Sequence, residues 1–154
     1  MPRIGLISDT HGLLRPEAVT FLHGSDYIVH AGDIGDAKIL RELNACARVT
    51  AVRGNNDRGS WAKAIPESQV LHVDDVLIYV LHDVAELDLD PVAAGFRVIV
   101  SGHSHRPSVQ ERDGVLYVNP GSSGPRRFKL PITVAELDIA GRSVKARVAD
   151  LEAA

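Results

Sequence analysis

The chain has 154 residues, 45% of them hydrophobic, which suits one domain with a proper core and leaves no room for a second, so residues 1–154 are expected to form a single domain. Its formal charge is -3 with acids and bases interspersed, so no basic arm or stripe can clamp a phosphate backbone and no stable nucleic-acid complex is expected. A lone cysteine, Cys46, excludes an internal disulfide and a thiolate zinc site, leaving nitrogen and oxygen as the ligands for any metal.

The N-terminus runs directly into a strand-like segment without the features of a signal peptide. No apolar run approaches the roughly 20 residues that span a bilayer, so a cytoplasmic protein without membrane association is the expectation. Oligomeric state leaves no mark in the sequence. Ile4 to Ser8 reads as a strand ending in Asp-Thr-His-Gly, and Pro16-Glu17 opens a helix through Ala18, Val19 and Leu22. Tyr27 to His30 is a second strand, after which Asp36 caps a helix with Ile39, Leu40 and Leu43 on one face. Arg48 to Val52 is a third strand, and Val70-Leu71 with Val76 to Leu81 forms a hairpin around Asp74-Asp75. A short helix near Pro91 to Ala94 precedes a strand, Arg97 to Val100, that ends in Ser-Gly-His-Ser-His. Hairpins follow around Asp113-Gly114 and Ala140-Gly141. The pattern predicts α/β units in the first half and mostly antiparallel strands in the second.

Asp9, Asp33, Asn55, His82 and His103 each fall at or just beyond the end of a separate strand-like run. Open α/β sheets bind ligands at that edge, so residues far apart in sequence are expected to converge there. Asp9 and His11 are two apart, as are His103 and His105, a spacing that in extended backbone aims both side chains to one side. Gly12, Gly32, Gly54 and Gly102 neighbour these residues and permit close approach. Four imidazoles, two carboxylates and one carboxamide are too many for one ion and suit two, with Asp33 as the natural bridge. Such a mixed donor set favours manganese, with iron, zinc, nickel and cobalt as alternatives, over magnesium. Two such ions serve in-line displacement at phosphorus.

Asp9-Thr10-His11, Gly32-Asp33, Gly54-Asn55-Asn56-Asp57, His82 and Gly102-His103-Ser104-His105, in that order, resemble the motifs of the calcineurin-like metallophosphoesterases. Asn119-Pro120-Gly121-Ser122 is similar to a segment of their small bacterial and archaeal phosphodiesterase branch. The resemblance implies an α/β protein, a four-layer α/β/β/α sandwich of two mixed sheets flanked by helices. It also implies that Asp9, His11, Asp33 and His105 hold one metal and Asp33, Asn55, His82 and His103 the other, with a metal-bridging hydroxide attacking the phosphodiester. Many members of the family carry a histidine, thought to assist the leaving group, where this chain has Asn56. An amide cannot donate an acidic proton, so poor leaving groups should suffer most. Asn56 and Asp57 are thus the expected catalytic-loop residues, Asp57 as support. Asp83 stands where the family usually has glycine; it, His30 and Arg58 are candidates for orienting a ligand or meeting substrate.

A charge count favours a diester. Two divalent ions, less Asp9, Asp33 and a hydroxide, leave one positive charge, which a small phosphodiester monoanion neutralises and a monoester dianion overshoots. The rival readings are a phosphomonoesterase and a catalytically silent scaffold on the same fold, for which keeping all seven ligand groups would have no chemical reason. Singly, each motif is weak, and Asp-x-His alone is as readily a surface feature. His23 is expected to flank the first helix, His72 to lie on a strand face, and Cys46 to be packed and inert. Arg53, Arg126 and Arg127 are expected to be mainly solvated surface, with phosphate contact a lesser role.

Overall fold

The structure, a computed structural model, describes residues 1–152. β1 (Arg3–Ile7), β2 (Tyr27–His30) and β3 (Arg48–Ala51) pair in parallel, joined through α1 (Pro16–Leu22) and α2 (Ala37–Asn44). Pro16 sits in the first turn of α1, where its missing N–H costs nothing, and the Asp36 carboxylate accepts from Lys38 N–H to start α2. The four-residue α3 (Ser60–Lys63) has no counterpart among the predicted elements. The hairpin around Asp74-Asp75 is β4 (Ser68–Val73) and β5 (Val76–Leu81), longer in its first arm than the apolar pair Val70-Leu71 suggests. A 3-10 turn at Val84–Glu86 and α4 (Pro91–Ala94) lead to β6 (Val98–Val100). β7 (Ser108–Arg112) with β8 (Val115–Asn119), and β9 (Thr133–Ala140) with β10 (Ser143–Asp150), are the two remaining hairpins.

Ten strands form two five-stranded sheets, ordered β10-β9-β1-β2-β3 and β4-β5-β6-β8-β7. Both are mixed, as the resemblance implies. The expectation of mostly antiparallel pairing in the second half needs one correction: β5, β6 and β8 are parallel neighbours. β7 occupies the edge and β8 returns between it and β6, so β8 ends at the same side as β6. Asp113-Gly114 signals the local hairpin, whereas the parallel partner is chosen by non-local packing.

Alternation along the strands sorts the core into layers. Ile4 and Leu6 of β1 join Val29, Ile78, Val80, Val100 and Leu137 between the sheets. Ile7 and Ile28 face the other way, against Ala18 and Leu22 of α1 and Ile39 and Leu43 of α2. On the far side of the second sheet, Leu81, Ile99 and Val115 are covered only by a small group including Tyr79, Leu87 and Phe96. Six parallel strands, β1, β2, β3, β5, β6 and β8, thus end in loops that carry the predicted ligands and the Asn-Pro-Gly-Ser segment.

Candidate metal centre

Asp9 and His11 leave β1 on backbone that is not extended. Asp9, His11, Asp33, His103 and His105 all have positive φ, between 46° and 70°. The paired histidine and aspartate side chains therefore converge through left-handed turns, not through the extended spacing expected of them. Asp and His visit this region more readily than most non-glycine residues, at a cost on the order of 1 kcal/mol or more each. The loops repay it by continuing the sheet: Asp9 N–H donates to Gly32 carbonyl at 3.0 Å, His11 N–H to Asp33 carbonyl at 2.9 Å and Gly12 N–H to Ile34 carbonyl at 2.8 Å.

Six of the seven predicted ligands meet there. His11 Nε2 lies 3.9 Å from Asp9 Oδ1 and 3.7 Å from Asp33 Oδ2. His105 Nε2 is 3.5 Å from Asp9 Oδ1, and His82 Nε2 is 3.3 Å from Asp33 Oδ2 and 3.9 Å from Asp9 Oδ1. His103 Nδ1 is 3.3 Å from His82 Nε2. The seventh, Asn55, is exposed and lines an open cavity of about 520 Å³ beside His82 and His103.

These donors fit a cation. Asp9 Oδ1, His11 Nε2 and both ring nitrogens of His105 are buried atoms without a hydrogen-bond partner among the described residues, a costly state that an ion relieves. Asp9, Asp33 and His82 form one group able to hold a metal, and Asp9, His11 and His105 another. Burial pushes the Asp9 carboxyl up to about 6, against the pull of His82 and Ser8. Burial also works against the Asp33 carboxylate, but hydrogen bonds from His82 and Asn56 outweigh it and hold that group well below the usual range. His105 falls to about 4 through burial and the charge of Arg127, so its ring is neutral with a lone pair to give. Burial acts to lower His82, yet its bonds to Asp33 and the Ala31 carbonyl raise it. In its neutral form, the Nδ1–H of His82 donates to that carbonyl at 2.7 Å, which leaves Nε2 facing the carboxylates.

The remaining predicted residues divide. Asn56 grips Asp33 twice, its backbone N–H at 2.9 Å from Oδ1 and its side-chain amide 3.1 Å from Oδ2. Asp57 is buried and accepts from the N–H groups of Ile34, Gly35 and Gly54 at 2.9–3.1 Å, locking the β2 and β3 loops together. Asp83 caps the 3-10 turn through Ala85 N–H and stands 3.7 Å from His103 Nε2, placed to orient that ring. His30 is a wholly buried, hydrogen-bonded histidine: Nδ1 accepts from Gly32 N–H at 3.1 Å, so Nε2–H donates to Thr10 Oγ1 at 3.0 Å. Burial lowers its pKa to about 3. Arg58 is exposed and makes no ion pair or hydrogen bond among the described residues. Arg53 pairs with Glu67, and Arg126 with Glu152. His23 ends α1, His72 is exposed on β4, and half-buried Cys46 packs beside the α1–α2 layer.

Close approach decides two glycines. A Cβ on Gly54 would strike the Asp33 backbone and carboxylate, and one on Gly102 would strike Ser8 Oγ and the Asp9 carboxylate. At both positions the missing side chain makes room for a predicted ligand itself, ahead of any bound phosphate.

Several supports were not singled out from sequence. Ser8 Oγ donates to Asp9 Oδ2 at 2.8 Å and His103 N–H to the same oxygen at 3.2 Å. Ser122 Oγ donates to the Asp9 carbonyl, and the Asn119 amide donates to the Gly102 carbonyl at 2.9 Å. Arg15 holds the carbonyls of Ser123 and Gly124. Only the Asn-Pro-Gly-Ser likeness pointed toward this loop.

Two mixed sheets inside helices, with a histidine and aspartate cluster at their common edge, define a metal-dependent phosphoester hydrolase. Residues 2–142 match the Calcineurin-like phosphoesterase superfamily domain, and the chain belongs to that family. It is 36% identical over 132 residues to a probable metallophosphoesterase of Methanocaldococcus jannaschii, covering 77% of this chain and 67% of the relative. A solved archaeal phosphodiesterase superposes with TM-score 0.78 at 25% identity, covering 96% of this chain and 99% of that one. Vps29 of Chaetomium thermophilum shares the fold, with TM-score 0.80 at 19% identity over 96% and 93% of the two chains.

Proposed function

We propose that the protein is a two-metal phosphodiesterase, with Asp9, His11, Asp33 and His105 holding one divalent ion and Asp33, Asn55, His82 and His103 the other. Manganese is the metal the mixed nitrogen and oxygen donors favour, with iron, zinc, nickel or cobalt as alternatives. The observation that carries this reading is the set of buried, unpartnered donor atoms on Asp9, His11 and His105 within 3.5–3.9 Å of a neighbour. A scaffold has no use for them, and every unpaired one costs about 1–3 kcal/mol.

Two bound divalent ions would acidify a coordinated water and neutralise charge building at phosphorus. The chain's own residues set the geometry. Asn56 fixes both oxygens of Asp33, so that carboxylate presents one orientation to the two sides of the centre. His105 brings a neutral imidazole nitrogen, and His82 would do so on giving up its proton to bind an ion, so neither adds negative charge. With only Asp9 and Asp33 as anionic ligands, the centre keeps a small positive balance suited to a diester monoanion. Because Asn56 is committed to Asp33 and has no acidic proton, the leaving alcohol departs with little help, and good leaving groups are preferred.

The test compares bis(p-nitrophenyl) phosphate with p-nitrophenyl phosphate on chelator-stripped protein before and after manganese is added. Metal-dependent release from the diester, with little from the monoester, is expected. Faster monoester turnover overturns the diester preference. No turnover with any divalent metal, despite measured metal binding, overturns the enzyme reading.

A further inference from the structure

The cavity of about 520 Å³ beside the centre is lined by Asn55, His82 and His103. His82 also belongs to the metal centre, its Nε2 3.3 Å from Asp33 Oδ2 and 3.9 Å from Asp9 Oδ1, so the cavity adjoins that centre. Its wall also carries four carboxylates, Glu67, Asp83, Glu86 and Asp88. The one cation on that wall, Arg53, is already engaged by Glu67 at 2.8 Å. Glu86 and Asp88 are exposed and make no ion pair among the described residues, so their charges face the cavity unanswered. Tyr79 and Leu81 add an aromatic and an aliphatic surface.

Carboxylates around an aromatic ring disfavour a second anionic group and suit an ammonium, whose charge they neutralise and whose methylenes or methyls the ring and leucine cover. We infer that this cavity receives one ester arm of the substrate, and that the protein prefers phosphodiesters whose alcohol carries an ammonium group over those bearing a further phosphate. The inference rests on the phosphodiesterase reading and adds a substrate class to it. The phosphate meets the centre while the cationic alcohol lies toward Glu86 and Asp88. Neutral arms enter without the electrostatic gain, and arms with a second phosphate are repelled.

The experiment uses three probes that release the same p-nitrophenol: p-nitrophenyl phosphorylcholine, bis(p-nitrophenyl) phosphate, and thymidine 3′-phosphate 5′-(p-nitrophenyl phosphate). With manganese present, kcat/KM relative to the bis-aryl diester is expected to be highest for the choline probe and lowest for the doubly phosphorylated one. In the double variant Glu86→Lys, Asp88→Lys the choline-to-aryl ratio should fall about tenfold, and the ratio for the phosphorylated probe should rise. Ratios that the charge reversal leaves unmoved overturn the assignment. Calorimetric binding of glycerophosphocholine separates the two readings. If no probe turns over, the phosphodiesterase reading fails. The cavity is then judged by whether glycerophosphocholine binds the wild type more tightly than the double variant, equal affinities overturning it.

Discussion

Loops of the first sheet bring both carboxylates to the centre, together with His11, while loops of the second bring only imidazoles, and the carboxylates are held on different terms from His103 and His105. Asp9 and Asp33 are almost wholly buried, and each is gripped: Asp9 by Ser8 and the His103 N–H, Asp33 twice by Asn56. His105 makes no side-chain hydrogen bond among the described residues, and the His103 side chain is 45% exposed. A buried carboxylate must be met by donors or it takes up a proton, whereas a neutral imidazole can wait unpaired at a smaller penalty. The coverings differ in the same sense. α1 and α2 close the outside of the first sheet, while a 3-10 turn and four-residue α4 only partly close the second and leave the acidic cavity open.

The sharpest way to break this comparison is to remove one proposed ligand from each half. Asp33→Asn keeps the shape and discards the charge shared across the centre, so kcat/KM for bis(p-nitrophenyl) phosphate should fall about 10³-fold or more. His103→Ala should cost about 10–100-fold in manganese affinity, read by calorimetry, and less turnover at saturating metal. A larger turnover loss in His103→Ala than in Asp33→Asn would reverse the ranking of the halves.

A smaller effect sharpens the point about the cradle. Asp57→Ala strands the N–H groups of Ile34, Gly35 and Gly54, and urea unfolding of the metal-free protein should show a loss of about 3 kcal/mol. A loss under about 1 kcal/mol would show that the two loops do not depend on this lock.

The smallest effect lies away from the centre, on the first sheet. Glu136 of β9 is nearly buried, which works to raise its pKa, but hydrogen bonds and charge from Arg3 and Arg147 lower it below the ordinary value of 4.5. A carboxylate with a depressed folded pKa stabilises above its unfolded value and loses that contribution as pH falls through the folded one. Glu136→Gln should therefore cost about 1 kcal/mol at pH 7, discounted because Arg147 is largely exposed, and the difference should begin to shrink near pH 4.5 and vanish only once the pH has fallen through the lower folded pKa. An equal difference at both ends of the pH range would deny the ion pairs their part.

The candidate ligands were legible in sequence because Asp, His and Asn following apolar runs are informative by type and position, and the motif order added the family. Their conformation was not. Extended spacing was the reasonable expectation for Asp9 with His11 and for His103 with His105, yet these residues are left-handed, held so by backbone partners on neighbouring loops. Arg15, Ser122 and Asn119 were equally opaque as supports, since the carbonyls they hold belong to other loops, up to 113 residues away. Nor could the sequence distinguish Asn56 as a missing acid from Asn56 as the clamp on Asp33.

By itself, then, the sequence determined which strands alternate, where hairpins turn, and which side chains could bind metal, because these depend on residue type and short-range periodicity. Tertiary structure alone decided that β8 lies parallel to β6, that six loops meet at one edge, and that four carboxylates line one cavity wall. Those features arise from pairings between distant segments, where the free energy of burying two faces together selects the partner and local pattern does not.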